Sequence, residues 1–344
     1  MARAKKFSPL DRPDAFAQAL VDWFDKGGKD YPWRRTHDPY AVLVSELMLQ
    51  QTQVATVLSR RYFENWLEKF PTPGALAQAS EEEVLKAWEG LGYYRRARNL
   101  QKAAIAIVAK HSSEFPRELE SILALPGVGP YTAGAVASFA FGDSAAIVDG
   151  NVARVLARLF DFHEEIDSTK GLKALWAWAE QLVPQEGARE YNSGLMELGQ
   201  TLCSVTDPQC GDCPVAAFCL TETPSELPKR KPRVKTTLVD EHVRLVVKGG
   251  RVLLEQESGK RREGLWKLPE LPESKLGVAE LLHEMKYSIT RYRVTLHVYA
   301  DRPGQATPPQ GQEWFDESQI AELAMPSPYR KALVALAESG RIFA

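Results

Sequence analysis

Four cysteines, Cys203, Cys210, Cys213 and Cys219, fall within seventeen residues, and the chain has no others. A secreted disulfide scaffold spreads its cysteines along the chain. Thiols crowded into one short loop point instead to a reducing compartment and a metal. Six, two and five residues separate successive cysteines, so only one pair is close. Zinc sites usually present two close pairs. Four thiolates at uneven spacing suit a cubane iron–sulfur cluster, in which each cysteine takes one corner iron. The loop is therefore read as the holder of a 4Fe–4S cluster, with zinc as the lesser alternative.

On either side of this loop the sequence changes character. Residues 12–220 carry apolar side chains three and four apart, as at Phe16, Leu20 and Phe24. Breaks such as Asp38-Pro39 and Phe70-Pro71-Thr72-Pro73 separate the runs, which together predict an all-helical domain over residues 1–220. Residues 221–236 hold Pro224, Pro228 and Pro232 among Lys229, Arg230, Lys231, Arg233 and Lys235, the composition of an extended basic linker. Beyond it, residues 243–247 and 252–254 flank Gly249-Gly250 as a hairpin, and residues 292–299 alternate like a strand. Amphipathic helices are expected over 277–285 and 329–338. Residues 237–344 thus read as a small α+β domain. A chain of 344 residues with 44% hydrophobic content can furnish two cores.

The net charge of −2, from 43 basic and 45 acidic residues, does not announce nucleic acid, so local clustering must decide. The basic start at Arg3, Lys5 and Lys6 is followed by an amphipathic helix and not by the apolar run of a signal peptide. No stretch is long and apolar enough to span a bilayer. A monomer in the cytoplasm, with no membrane partner, is the expectation.

The second strong signal is the run Leu125-Pro126-Gly127-Val128-Gly129-Pro130-Tyr131-Thr132-Ala133-Gly134-Ala135. Gly127 and Gly129 let the backbone turn sharply, and amides at the start of the following helix can face a DNA phosphate. A lone Gly-x-Gly would favour a plain turn between helices; the whole run favours a helix–hairpin–helix element. Downstream, Asp149-Gly150-Asn151 opens a helix over 152–160. Capping is the default role of such an aspartate. Beside a nucleotide held by the hairpin, however, its carboxylate can stabilise the oxocarbenium-like charge of a breaking glycosidic bond.

Hairpin, aspartate and four-cysteine loop, in that order, resemble the endonuclease III-like superfamily of DNA glycosylases. The resemblance covers residues 12–220 and implies an all-helical fold that holds DNA in a cleft. Lyase members carry a lysine in the hairpin that forms a Schiff base with the sugar. Tyr131 stands at that position, and the hairpin contains no lysine. A monofunctional glycosylase that uses water is therefore expected.

The run Val42-Leu43-Val44-Ser45-Glu46-Leu47-Met48-Leu49-Gln50-Gln51-Thr52-Gln53 narrows the chemistry. Asp38 can cap this helix and Pro39 suits its first turn. Five of the six residues flanking Glu46 are large and apolar, which disfavours the anion and raises the carboxyl pKa. A glutamic acid that is protonated near neutrality can donate a proton to a leaving base. An isolated glutamate would more often sit on a wet helix face; its surroundings argue otherwise.

This run is very similar to the pattern of the MutY-type adenine DNA glycosylase family. The resemblance implies double-stranded DNA with adenine opposite 8-oxoguanine or guanine as the partner. It makes Glu46 the acid that protonates adenine N7 and then the base that activates water. It makes Asp149 the group that stabilises the sugar cation or transiently bonds to it, Asn151 the residue that orients Asp149, and Tyr131 an assistant near the sugar. Trp33, Arg34, Leu49 and Glu197 would line the adenine pocket. Gln51 and Tyr93 would wedge into the base stack, and Gly127 and Gly129 would meet phosphate. Arg95, Arg96 and Arg98 could also reach phosphates, although a solvated basic face is as good a reading of each.

Residues 237–344 resemble the family's Nudix-like domain, through Gly264-Leu265-Trp266-Lys267-Leu268-Pro269. A Nudix hydrolase needs a glutamate-dense helix for Mg²⁺, and the predicted helix here offers only Glu280 and Glu284. The domain is read as a lesion-binding module. The family's Phe-Ser-His loop, which contacts oxidised guanine, corresponds to Ser288-Ile289-Thr290-Arg291-Tyr292. Thr290 keeps a hydroxyl, and Arg291 replaces the histidine with another donor to a base edge. Three other readings weigh less: a glycosylase/lyase for damaged pyrimidines, a non-enzymatic DNA binder, and a nucleotide hydrolase.

Overall fold

The computed structural model describes residues 7–232, 234–259, 262–303 and 307–342. Arg3, Lys5, Lys6 and Arg233 lie outside them. The chain forms two compact units, one of residues 1–77 with 102–232 and one of residues 78–101 with 233–344.

The first unit is helical throughout. The helix Pro39–Leu49 begins with Asp38 accepting the Tyr40 N–H and with Pro39 in the first turn, as its sequence predicts. Every residue from Tyr40 to Met48 is buried. A helix that is apolar on all sides belongs inside a core, and this places Glu46 in the interior. Helices Pro13–Gly27, Gly150–Leu159, Thr169–Leu182 and Ala188–Gln200 pack around Phe16, Leu20, Val155, Leu156, Leu175 and Leu195. One contact sets the active-site spacing. A Cβ on Gly199 would lie 2.7 Å from the Asn151 Cβ, so glycine lets the helix Ala188–Gln200 touch the backbone that carries Asn151.

Residues 221–232 do not run free as an extended linker. They hold a single-turn helix at Pro224–Glu226, and the Ile166 N–H donates to the Lys229 carbonyl at 3.0 Å. The Lys231 N–H reaches Asp167 at 3.0 Å, and Leu227 is buried. Prolines and positive charge suggest solvent exposure, but backbone hydrogen bonds to residues 165–167 bind this stretch to the helices.

The second unit is built on a mixed sheet of strands β1 (Thr237–Lys248), β2 (Arg251–Gln256), β3 (Trp266–Lys267), β4 (Leu281–Ile289), β5 (Tyr292–Asp301) and β6 (Gln312–Phe315). The order is β3-β2-β1-β5-β4, with β6 also on β2. Strands β1 and β5 run parallel; the other pairs are antiparallel. Gly249 and Gly250, with φ of 57° and 71°, make the expected tight turn from β1 to β2. Val243, Leu254, Leu296 and Val298 pack against Tyr329, Ala332, Leu333 and Leu336 of the helix Ser327–Glu338. That helix matches the prediction over 329–338.

The helix expected over 277–285 does not form. Its residues largely enter β4, which pairs with β5 from Leu281↔Tyr299 to Ile289↔Tyr292. Leu281, Leu282 and Met285 mimic helical spacing, but the pairing with β5 satisfies the backbone and overrides local preference. Glu284 therefore stands on a strand, 3.2 Å from His297, and Glu280 lies 3.4 Å from Arg341. Leu265, Trp266 and Leu268 of the Gly264–Pro269 motif are core residues. Lys267 is buried among Glu257, Glu270 and Glu255, at 3.1, 3.2 and 3.9 Å.

Candidate active site

Glu46 and Tyr131 meet in the helical unit across 85 residues of sequence. The Tyr131 hydroxyl donates to Glu46 Oε2 at 2.6 Å. Burial pushes the Glu46 carboxyl up to about 7; the Tyr131 hydrogen bond and Arg34 oppose the shift, and Asp149 adds to it. The hairpin that carries Tyr131 turns at Gly127, with φ of 79°, and Gly129 caps the helix Pro130–Phe141. The Gln50 amide donates to Thr132 Oγ1 at 3.3 Å, a second bond between the glutamate helix and the hairpin helix.

Asp149 caps the helix Gly150–Leu159. Its Oδ1 accepts the N–H groups of Asn151 and Val152 at 2.9 and 2.7 Å, and the Asn151 side chain donates to Oδ2 at 3.0 Å. Burial raises its pKa; those three bonds and Arg154 oppose the rise. The capping role and the orientation by Asn151 thus coexist in one geometry. Arg154 in turn donates to Asn151 Oδ1 at 3.0 Å and to the Gly199 carbonyl at 2.6 Å.

Beside Glu46 opens a pocket of about 520 Å³, open solvent at its mouth included. Trp33, Arg34, Glu46 and Leu49 line it. Tyr31 stacks on Trp33 at 5.1 Å between ring centres, which adds a second aromatic wall. Glu197 is buried behind Arg34: its carboxylate pairs with Arg34 Nη1 and accepts the Lys29 N–H at 3.0 and 3.2 Å. Glu197 therefore fixes Arg34 and reaches the pocket through it. Arg189, Ser45 and Met196 also line the pocket and escaped the sequence reading. Arg189 donates to the carbonyls of Arg34 and Thr36 at 2.6 and 2.9 Å, holding the Trp33–Arg34 turn in place. No local motif marks it, because these two partners lie more than 150 residues away. Gln51 is exposed, with φ of 58°.

The four cysteines lie in the same unit and form no disulfide. Cys213 is pushed up to about 12, by burial first and then by its nearness to Cys203, Cys219 and Cys210. Among the described residues no three His, Cys, Asp or Glu side chains form a metal-holding group. Fully buried Arg158 donates to Cys203 Sγ at 3.2 Å, to the Ser204 and Val205 carbonyls at 2.6 and 3.2 Å, and to the Leu227 carbonyl at 3.0 Å.

The remaining residues singled out by the sequence lie in the second unit. Tyr93 is 44% exposed, with φ of 48°. Thr290 and Arg291 form the two-residue turn between β4 and β5, both exposed; Thr290 has φ of 49°, a strained value for a β-branched residue. Arg291 leans on the Tyr292 ring, its guanidinium 5.1 Å from the ring centre. Arg96 and Arg98 are not the phosphate contacts their sequence allows. Arg96 is buried and donates to the carbonyls of Leu91 and Gly92 at 3.0 Å each; Arg98 pairs with Glu81 at 2.7 Å. These carbonyl and carboxylate partners take up donors a phosphate would need. Arg95 is exposed.

No helix among the described residues is long and apolar enough to cross a membrane. Residues 44–181 match the family described as HhH-GPD superfamily base excision DNA repair protein. Human adenine DNA glycosylase is 46% identical over 222 residues, which are 62% of this chain and 40% of the human protein. The chain thus spans less than half the length of that relative. Among solved structures, a thermostable thymine-DNA glycosylase is 31% identical with a TM-score of 0.56, covering 61% of this chain and 96% of that one. Endonuclease III from a non-covalent DNA complex is 26% identical with a TM-score of 0.51, over 61% of this chain and 95% of that one. Helical fold, hairpin and these likenesses agree: the chain belongs to the HhH-GPD superfamily of base-excision DNA repair glycosylases, as a homologue of the MutY-type and endonuclease III-like proteins.

Proposed function

We propose that this chain is a monofunctional adenine DNA glycosylase that flips adenine, paired with 8-oxoguanine or guanine, out of the duplex and hydrolyses its N-glycosidic bond. The observation that carries this reading is Glu46, buried at the pocket wall with its carboxyl raised to about 7. At neutral pH such a group both holds and releases a proton. It donates to adenine N7 as the base leaves, then withdraws a proton from the attacking water. Asp149, beside the same site, supplies negative charge to the sugar cation, and Asn151 keeps one of its oxygens aimed. Tyr131 occupies the position of a lyase lysine. Its hydroxyl is bonded to Glu46 and has no amine with which to trap the sugar.

Flipping costs about a few kcal/mol of lost stacking. Tyr31, Trp33 and Leu49 offer the extruded purine an apolar slot, and Arg34, held by Glu197, offers it donors. Gln51 and Tyr93 fill the stack the adenine vacates, and Gly127 and Gly129 expose backbone amides to phosphate. Cys203, Cys210, Cys213 and Cys219 suit a 4Fe–4S cluster in number and softness, and the Arg158 donor on Cys203 Sγ suits a thiolate. Such a cluster, when bound, would order the loop and take no part in bond cleavage. The sheet unit serves as a Nudix-like reader of the opposite base through Thr290 and Arg291. Residues 277–285, where the sequence would place the glutamate-bearing helix of a phosphohydrolase, largely enter β4.

The test uses duplexes carrying adenine opposite 8-oxoguanine, adenine opposite guanine, or thymine glycol, with and without hot alkali. Breakage of the adenine strand only after alkali is expected. Prompt breakage, or activity on thymine glycol alone, would overturn the proposal.

A further inference from the structure

Tyr93 sits on a loop that is unusually well built for an exposed tip. Gly90 and Gly92 turn it, with φ of 100° and 68°, and the Trp88 indole N–H donates to the Gly92 carbonyl at 3.1 Å. Arg96 ties the Leu91 and Gly92 carbonyls, and its guanidinium lies 5.4 and 5.5 Å from the Trp88 and Tyr93 ring centres. The base of this loop is gripped by the end of the sheet portion. Arg330 makes a bidentate pair with Glu89, Nε to Oε1 at 2.7 Å and Nη2 to Oε2 at 2.9 Å. Arg330 also donates to the carbonyls of Ile320 and Leu323 at 2.8 and 2.6 Å. Lys86 bridges Glu89, at 3.1 Å, to the same turn. The Tyr94 hydroxyl donates to the Met325 carbonyl at 3.2 Å.

A bidentate arginine–carboxylate pair fixes orientation as well as distance. Glu89 lies four residues before Tyr93, and a left-handed φ at a tyrosine persists only where its surroundings impose it. We propose that the Glu89–Arg330 pair is a positioning device for Tyr93, so that the sheet portion of the chain sets where this ring enters the duplex. This rests on the reading of Tyr93 as a stacking wedge.

The full chain is tested in a Glu46→Gln background, so that no base is excised, on a duplex carrying 2-aminopurine beside 8-oxoguanine. Ring insertion unstacks the probe and raises its fluorescence. Arg330→Gln is expected to remove most of that rise at saturating protein, as Tyr93→Ala does. The double variant should behave like Tyr93→Ala alone, and the exchanged pair Glu89→Arg with Arg330→Glu should regain part of the signal. In a Glu46-intact chain, Arg330→Gln should lower the preference for adenine opposite 8-oxoguanine over adenine opposite guanine by about tenfold, non-additively with Tyr93→Ala. A full rise with Arg330→Gln, or additive losses in the double variant, would overturn the proposal. Glu89→Gln, which keeps shape and one hydrogen bond, answers the same question if Arg330→Gln does not fold. Failure of the wild type to excise adenine would sink the proposed function and leave the fluorescence result to decide this one.

Discussion

Two glutamates in this molecule accept hydrogen bonds from buried tyrosines and have opposite fates. In the helical unit Glu46 takes one bond, from Tyr131, and among the described residues no cation forms an ion pair with it, Arg34 acting only through its charge. In the sheet unit Glu241 Oε2 takes two, from Tyr287 at 2.5 Å and Tyr329 at 2.9 Å, and Arg262 stands 3.6 Å from its other oxygen. Arg262 also bonds the Tyr287 hydroxyl at 2.7 Å and lies over both rings, and these neighbours raise its pKa against the cost of burial. The half-buried Glu241, with a guanidinium beside it, becomes a staple. Glu46, fully buried, holds its proton near neutrality and becomes a reagent.

The comparison can be broken at either end. The largest effect is expected for Glu46→Gln, which should slow single-turnover adenine excision about a thousandfold while duplex binding persists, as read by gel shift. Retained turnover would remove Glu46 from its role. Next, Arg262→Met strands Glu241 and should cost about 3 kcal/mol in denaturant unfolding.

A third test concerns stability against pH. The Glu46 carboxyl is raised in the folded chain, so its favourable contribution is full below its ordinary value of 4.5 and is lost as pH rises through about 7. Glu46→Gln does not titrate. Its stability relative to wild type should therefore climb by about 1–3 kcal/mol between pH 4.5 and 8, a trend that parallel melting curves would reveal. The smallest effect belongs to Tyr131→Phe. Its hydrogen bond lowers the Glu46 pKa, so its loss should move the alkaline limb of the excision profile to higher pH. A downward movement would show that the tyrosine does not stabilise the anion.

Sequence reading reached the chemistry where the signal was local. Asp38-Pro39 fixes a helix start, and five apolar neighbours place Glu46 indoors whatever surrounds the helix. Asp149-Gly150-Asn151 contains its own cap. Reading failed where the deciding partner was remote. The run over 277–285 has helical spacing, and only β5 makes it a strand. Arg96 and Arg98 look free until the carbonyls of Leu91 and Gly92 and the carboxylate of Glu81 are brought to them. Residues 78–101 show an ordinary amphipathic pattern, which says that a core is buried but not which one. The resemblance supplied Arg34 and Glu197 separately; their pairing across 163 residues is visible only in the fold.

Arg158 imposes an order on assembly. Its guanidinium bonds the carbonyls of Ser204, Val205 and Leu227 at once, and its own carbonyl receives the Thr221 N–H at 3.2 Å. None of these bonds can exist before the helix Gly150–Leu159 is wound and packed. The cysteine loop and residues 221–227 are thus tied to this one helix, and loss of the Arg158 donors would release both together, read as faster exchange of their amides.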